Sequence, residues 1–143
     1  MAEALEAYRK DEPMVWYDEE RGHKPEGIAV ELVDGCIRIL DFLAKTNTDD
    51  EKYSEIDYGS KIIFDRLKDI DDYLPSIICT LHGCTYESLV ARKRNDNYSI
   101  LCLLNCISLV EAFLRKNGID PETLMREKHE YNKTRPYKHG KRC

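Results

Sequence analysis

Ile28-Ala-Val-Glu31-Leu-Val-Asp34-Gly-Cys-Ile-Arg38-Ile-Leu-Asp41-Phe-Leu43 reads as a helix with a narrow polar stripe. Glu31, Asp34, Arg38 and Asp41 recur at helical spacing and project from one side. Ile28 and Phe42 border the stripe on one flank, Val30 and Ile37 on the other. A surface helix ordinarily gives about half its circumference to polar residues, and this one gives much less. Carboxylates hemmed in by apolar neighbours are costly to desolvate unless a cation or a donor meets them. The stripe is therefore a candidate metal site.

Outward from this helix, the apolar period stays near that of a helix, and strand alternation is scarce. Ala2 to Lys10 reads as a short helix, and Asp11 to Gly27, with Pro13, Gly22, Pro25 and Gly27, as a loop. Thr46 to Lys52 is a polar connection. Tyr53 to Leu74 reads as helical, with Ile62, Ile63, Leu67, Ile70 and Leu74 on one face, and Pro75 is expected to kink or end it. Ile77 to Leu81 continues the apolar content, a short helix is expected from Tyr86 to Arg92, and Arg92 to Asn97 is a turn. Tyr98 to Lys116 is a strongly apolar helix that closes at Asn117-Gly118, with glycine at the C-terminal cap. Asp120 and Pro121 then open the last helix as N-cap and first-turn residue, and it should end before Pro136. The expected fold class is all-α, a single domain of about five helices packed as a bundle.

Bulk properties narrow the field. The chain has 143 residues, 42% hydrophobic and 34% charged, enough to bury a core and stay soluble. A net charge of -5 argues against general nucleic-acid binding. No basic region followed by an apolar stretch opens the chain, and no apolar run is expected to cross a membrane, so a cytoplasmic location is expected. The six cysteines form no Cys-x-x-Cys pair. They read as thiols serving as small apolar residues, with zinc ligation as the alternative that lacks the usual clustered spacing.

Three constellations carry chemistry. Glu31-x-x-Asp34 sets two carboxylates where their oxygens converge on a hard cation such as magnesium, which takes few carboxylates and keeps waters or phosphates. The competing reading is a salt-bridged face in which Arg38 neutralises Asp34 and Asp41. Glu3 and Glu6, again three apart, would complete four carboxylates if the two helices packed antiparallel, and the dipole of a helix start is the plainer account of them. In the third, Lys128, Asn132 and Arg135 share one helical face beside Tyr131, and Lys138, His139 and Lys141 follow Pro136. Arginine forks and lysine charges suit a polyphosphate, whereas a disordered basic tail is the alternative. His23 and His82 have no evident nucleophile partner. No Ser-His-Asp set, phosphate-binding glycine loop or dinucleotide fingerprint is present.

The pairing of Glu-x-x-Glu with a later Glu-x-x-Asp resembles the all-α nucleoside triphosphate pyrophosphohydrolases of the MazG-like type. Lys24-Pro-Glu-Gly-Ile-Ala-Val-Glu-Leu-Val-Asp34-Gly-Cys-Ile-Arg-Ile-Leu-Asp41 resembles the second acidic helix of a MazG-like subgroup. Glu127-Lys-His-Glu-Tyr-Asn-Lys-Thr-Arg-Pro-Tyr-Lys-His-Gly140 resembles that subgroup's C-terminal segment, and Ala2 to Lys10 the end of its first acidic helix. The resemblance covers roughly the first 45 and the last 30 residues. It implies Mg²⁺-dependent hydrolysis of a nucleoside triphosphate to the monophosphate and pyrophosphate by a homo-oligomer. Carried onto this chain, it implies Glu3, Glu6, Glu31 and Asp34 as metal ligands. Glu6 or Glu31 would orient or deprotonate the attacking water. Lys128, Asn132, Arg135 and Lys138 would meet the nucleotide. Two departures stand out. The leading glutamate of the first acidic helix aligns either just before Met1, leaving Glu3 as the second ligand, or with Glu3 itself, pairing it with Glu6. Residues 48–112 correspond to an inserted helical segment. Two rival readings remain: a non-catalytic helical nucleotide-binding or interaction protein, and a phosphoribosyl-ATP hydrolase with the same chemistry.

Overall fold

The computed structural model describes residues 2–45, 74–93 and 98–135. Among them run five α-helices and one small antiparallel sheet: α1 (Ala2–Arg9), β1 (Trp16–Asp18), β2 (Lys24–Glu26), α2 (Ile28–Lys45), α3 (Leu74–Lys93), α4 (Tyr98–Lys116) and α5 (Pro121–Thr134). The helical fold class read from the sequence is the one observed.

α2 lies at the centre, touching α1, α4 and α5 as well as β2. Leu32, Val33, Cys36, Ile37, Ile39 and Leu43 bury its apolar sides in one core with Ile77, Ile78, Leu81, Leu109, Val110 and Leu114. Leu32 and Leu114 are at most 1% exposed, so truncating either to alanine costs about 2–5 kcal/mol. α1 meets α2 through Ala4 and Ala7, whose small side chains allow close approach. α3 and α4 form the most extensively packed helix pair, and the Ser88 hydroxyl donates to the Ser99 carbonyl across it at 2.9 Å.

Helix ends follow local chemistry. At the end of α4, Gly118 has φ +73°, with Gly118 N–H donating to the Arg115 carbonyl and Ile119 N–H to that of Leu114. These two bonds make a Schellman motif. Asp120 caps α5 by accepting from the Thr123 N–H at 3.2 Å and the Thr123 hydroxyl at 2.5 Å. α2 starts differently. Ile28 N–H donates to the Pro13 carbonyl at 3.2 Å and Ala29 N–H to the Met14 carbonyl at 2.9 Å, so loop backbone satisfies the open amides. Gly27 permits this with φ +110°, because a Cβ there would lie 2.5 Å from the Pro13 oxygen and 2.8 Å from that of Met14.

Three expectations are corrected. The segment 11–27 is not all loop: β1 and β2 pair with Trp16 opposite Glu26, Tyr17 opposite Pro25 and Asp18 opposite Lys24. A 3-10 turn at Glu19–Arg21 joins them, capped by the Asp18 side chain and closed by Gly22 at φ +72°. α3 is one helix through Gly83, with Pro75 in its first turn, where no intrahelical amide is required of it. The expected helix from Tyr53 lies outside the described residues except for Leu74, which starts α3. α4 is long and apolar enough to cross a membrane by length and composition, contrary to expectation. Its Cys106, Leu109, Val110 and Leu114 are buried in the common core, and 39% of the apolar window is buried in all. The region expected as an insertion supplies α3 and most of α4. Among the described residues no cysteine forms a disulfide, and Cys36, Cys102 and Cys106 are buried.

Candidate functional site

The acidic stripe of α2 faces α5, and this juxtaposition joins residues far apart in the chain. Asp34 is buried, and its two carboxylate oxygens have separate partners. Asn132 Nδ2 donates to Oδ1 at 3.0 Å, and Arg38 Nε donates to Oδ2 at 2.8 Å, with Arg38 Nη2 also 2.8 Å from Oδ2. Burial pushes the Asp34 carboxyl up. The hydrogen bonds from Asn132 and Arg38, with the charges of Arg38 and Lys128, outweigh it and hold the group below the usual aspartate range.

Glu31, one turn nearer the helix start, is treated differently. Its side chain is 18% exposed, and the Lys128 ammonium, 3% exposed, lies 3.9 Å away. Burial pushes the Glu31 carboxyl up, the Lys128 charge pulls it down, and Glu3 and Asp34 push it up again. Glu3 of α1 lies near enough for its charge to act on Glu31, so two acidic side chains share one corner. Glu6 does not join them. It is exposed and pairs with Lys10 one turn along α1 at 2.8 Å.

A cationic corner adjoins the acidic one. Lys24 on β2 is held below the usual lysine range by burial first, and then by the charges of Lys128, Arg21 and Arg135. These four basic side chains thus share one field, partly offset by the ion pair of Lys24 with Glu26. Arg135 ends α5, half-buried. Tyr17 of β1 donates its hydroxyl to Glu127 Oε2 at 2.7 Å and stacks on His23, ring centroids 4.3 Å apart, which ties the hairpin to α5.

The structure therefore brings together Glu3, Glu31, Asp34, Lys128 and Asn132, with the charge of Arg135 close by. It leaves Glu6 outside, and Lys138 lies outside the described residues. Sequence reasoning missed Lys24, Tyr17 and Glu127. Lys24 and Glu127 open the two strings that carried the family resemblance, and that position was their only signal.

The donor set bears on a metal ion in two ways. Glu3, Glu31 and the Asn132 Oδ1 atom, which is buried without a hydrogen-bond partner, are all hard oxygen donors of the kind magnesium takes. Among the described residues, however, no three histidine, cysteine or acidic side chains group as a metal site. An ion here would be held by two carboxylates and completed by phosphate or water, as magnesium commonly is. No family model, curated protein or solved structure matches this chain.

Proposed function

We propose that the protein hydrolyses a nucleoside triphosphate to the monophosphate and pyrophosphate in the presence of Mg²⁺. The observation that supports this reading most is the meeting of the acidic stripe with Lys128 and Asn132. Carboxylates for a cation and basic groups for a polyphosphate lie side by side, at the residues that carry the MazG-like resemblance. Glu31 and Glu3 would hold the ion, which when bound supplies charge neutralisation at the phosphates. Glu31 takes the proton of the attacking water as the α,β-phosphoanhydride breaks. Lys128 and Lys24 stabilise charge gathering on the departing pyrophosphate, and Arg135 adds to the same field. Asn132 holds Asp34 and so fixes α5 against α2. Self-association accompanies this reading, and sedimentation measures it.

The test is pyrophosphate release from each ribo- and deoxyribonucleoside triphosphate, and from phosphoribosyl-ATP, with Mg²⁺. At least one substrate should turn over, and Glu31→Gln should lower that rate by about 10²-fold or more. Release from none of them, with the protein folded, sinks the proposal.

A second reading is a nucleotide-binding module without turnover. It draws on the engagement of both Asp34 oxygens and the seating of Lys128 against Glu31, which leave the stripe neutralised by the protein's own cations. It predicts calorimetrically detectable nucleotide binding with no pyrophosphate formed.

A further inference from the structure

On the far side of α2 from the acidic stripe, the core is rich in sulfur. Cys36 of α2, Cys84 of α3, and Cys102 and Cys106 of α4 come close enough to act on one another electrostatically. Cys106 is 0% exposed and directs its Sγ toward the Leu81 carbonyl at 3.8 Å, which places it against the turn of α3 that ends at Cys84. Cys84, three residues on from Leu81 along α3, is half-buried and packs against the edge of that core. One sulfur is thus open to solvent and its neighbour is sealed behind it.

We propose that Cys84 and Cys106 are a redox-responsive pair that closes into a disulfide between α3 and α4 when the protein meets a peroxide.

The electrostatics of the pair agree with its placement. Hydrogen bonding from Cys106 brings the Cys84 thiol down to about 7, against burial and the charge of Glu87, while the same bond and burial push Cys106 up. Cys84, the partly exposed member, is the attacking sulfur, and the sealed Cys106 is the thiol that resolves it. The Cys84 sulfur attacks one peroxide oxygen, the O–O bond breaks, and the departing oxygen leaves as hydroxide and takes up a proton to become water. Cys84 is then a sulfenic acid. The Cys106 sulfur attacks it, the S–O bond breaks, and the hydroxyl leaves with the Cys106 proton as a second water. Two thiols have lost two electrons, and the peroxide has been reduced to two waters. A disulfide requires neighbouring chain segments, and α3 and α4 pack along their lengths, with the Cys106 sulfur seated on the α3 turn that leads from Leu81 to Cys84. The bond would staple the helix pair across its connection.

The experiment treats the fully reduced protein with equimolar hydrogen peroxide and blocks remaining thiols with N-ethylmaleimide. The chain is then mapped by non-reducing tryptic digestion and tandem mass spectrometry, whose fragment ions tell Cys84 from Cys79 and Cys106 from Cys102 within their shared peptides. Arg92 and Arg94 provide cleavage sites between the two cysteines. The expected result is a Cys84 peptide joined to a Cys106 peptide, with the chain lighter by two hydrogen atoms and restored by dithiothreitol. Cys106→Ser should leave Cys84 trapped by dimedone as the sulfenic acid, and Cys84→Ser should leave Cys106 fully alkylable after unfolding. Linkage of Cys84 to another cysteine overturns the proposal. So does oxidation of the exposed Cys79 ahead of Cys84 with no joined peptide. Mapping the unsubstituted chain decides between these outcomes even if a variant fails to fold.

Discussion

Glu31 and Asp34 lie one helical turn apart on the acidic stripe and meet opposite treatment. Around Asp34 the chain supplies an amide, a guanidinium and a nearby ammonium, and the carboxylate is held ionised below its ordinary range. Around Glu31 it supplies burial, a second carboxyl from α1 and a lysine at the outer limit of an ion pair, and the carboxyl is driven upward. A saturated carboxylate holds helices together. A carboxylate met so weakly adds little to that hold, and under the proposed function it is the one that would hold the ion. The difference separates a structural half of the stripe from a chemical half, and it does so with residues of the same class on the same helix.

Removing the lysine that both halves share should cost the most. Lys128→Met leaves the buried Asp34 and the half-buried Glu31 without that charge. Because Glu31 keeps some solvent and the ion pair is long, the loss of stability belongs at about 2–3 kcal/mol, below the upper range for broken buried pairs. Urea denaturation at neutral pH measures it, and a loss under about 0.5 kcal/mol would erase the idea of a shared cation.

Asp34→Asn and Glu31→Gln should then part in sign, in metal-free buffer. The folded carboxyl of Asp34 sits below its unfolded value. Its contribution is present above the unfolded range and is lost as pH falls through the folded pKa. Asp34→Asn therefore destabilises by about 1–2 kcal/mol at neutral pH, and the deficit shrinks in acid. Glu31 is raised, so its ionised form burdens the fold above the folded pKa and ceases to do so below the unfolded value of 4.5. Glu31→Gln should stabilise at neutral pH and lose that advantage on acidification. Thermal melts of the three proteins across pH 3–8 read both trends. Parallel curves for the two variants would contradict the division of the stripe.

The smallest contrast lies on α1. Glu3→Gln should lower pyrophosphate release and Glu6→Gln should leave it closer to the parent, because Glu3 faces Glu31 while Glu6 is spent on Lys10. The reverse order would favour the alignment that pairs Glu3 with Glu6.

Much of this arrangement was legible in the residues, for identifiable reasons. Caps declare themselves locally, so Gly118, Asp120 and Pro121 marked the junction of α4 and α5. Periodicity put Glu31 with Asp34 and Lys128 with Asn132, and the apolar character of α2 implied that its stripe needed partners. What escaped was decided by tertiary geometry or by ambiguous punctuation. β1 and β2 are three residues each, too short to show alternation, and β2 contains Pro25. Pro75 read as a break, yet a first-turn proline lacks nothing the helix needs, and α3 runs unbroken from Leu74 through Gly83. Lys24 and Tyr17 became site residues only through the fold of the hairpin. The pairing of Glu6 with Lys10 was already present as a four-residue spacing, but the metal reading drew attention past it.

The borrowed cap at the start of α2 has a mechanical consequence. The carbonyls of Pro13 and Met14 precede the hairpin, and the amides of Ile28 and Ala29 follow it, so both feet of the hairpin are riveted at a single point. From that clasp it projects like the tongue of a buckle, with Lys24 on one strand and Tyr17, gripping Glu127, on the other. A solute that draws on Lys24 therefore pulls at α5 through Tyr17, and the load passes to the first turn of the helix that bears Glu31.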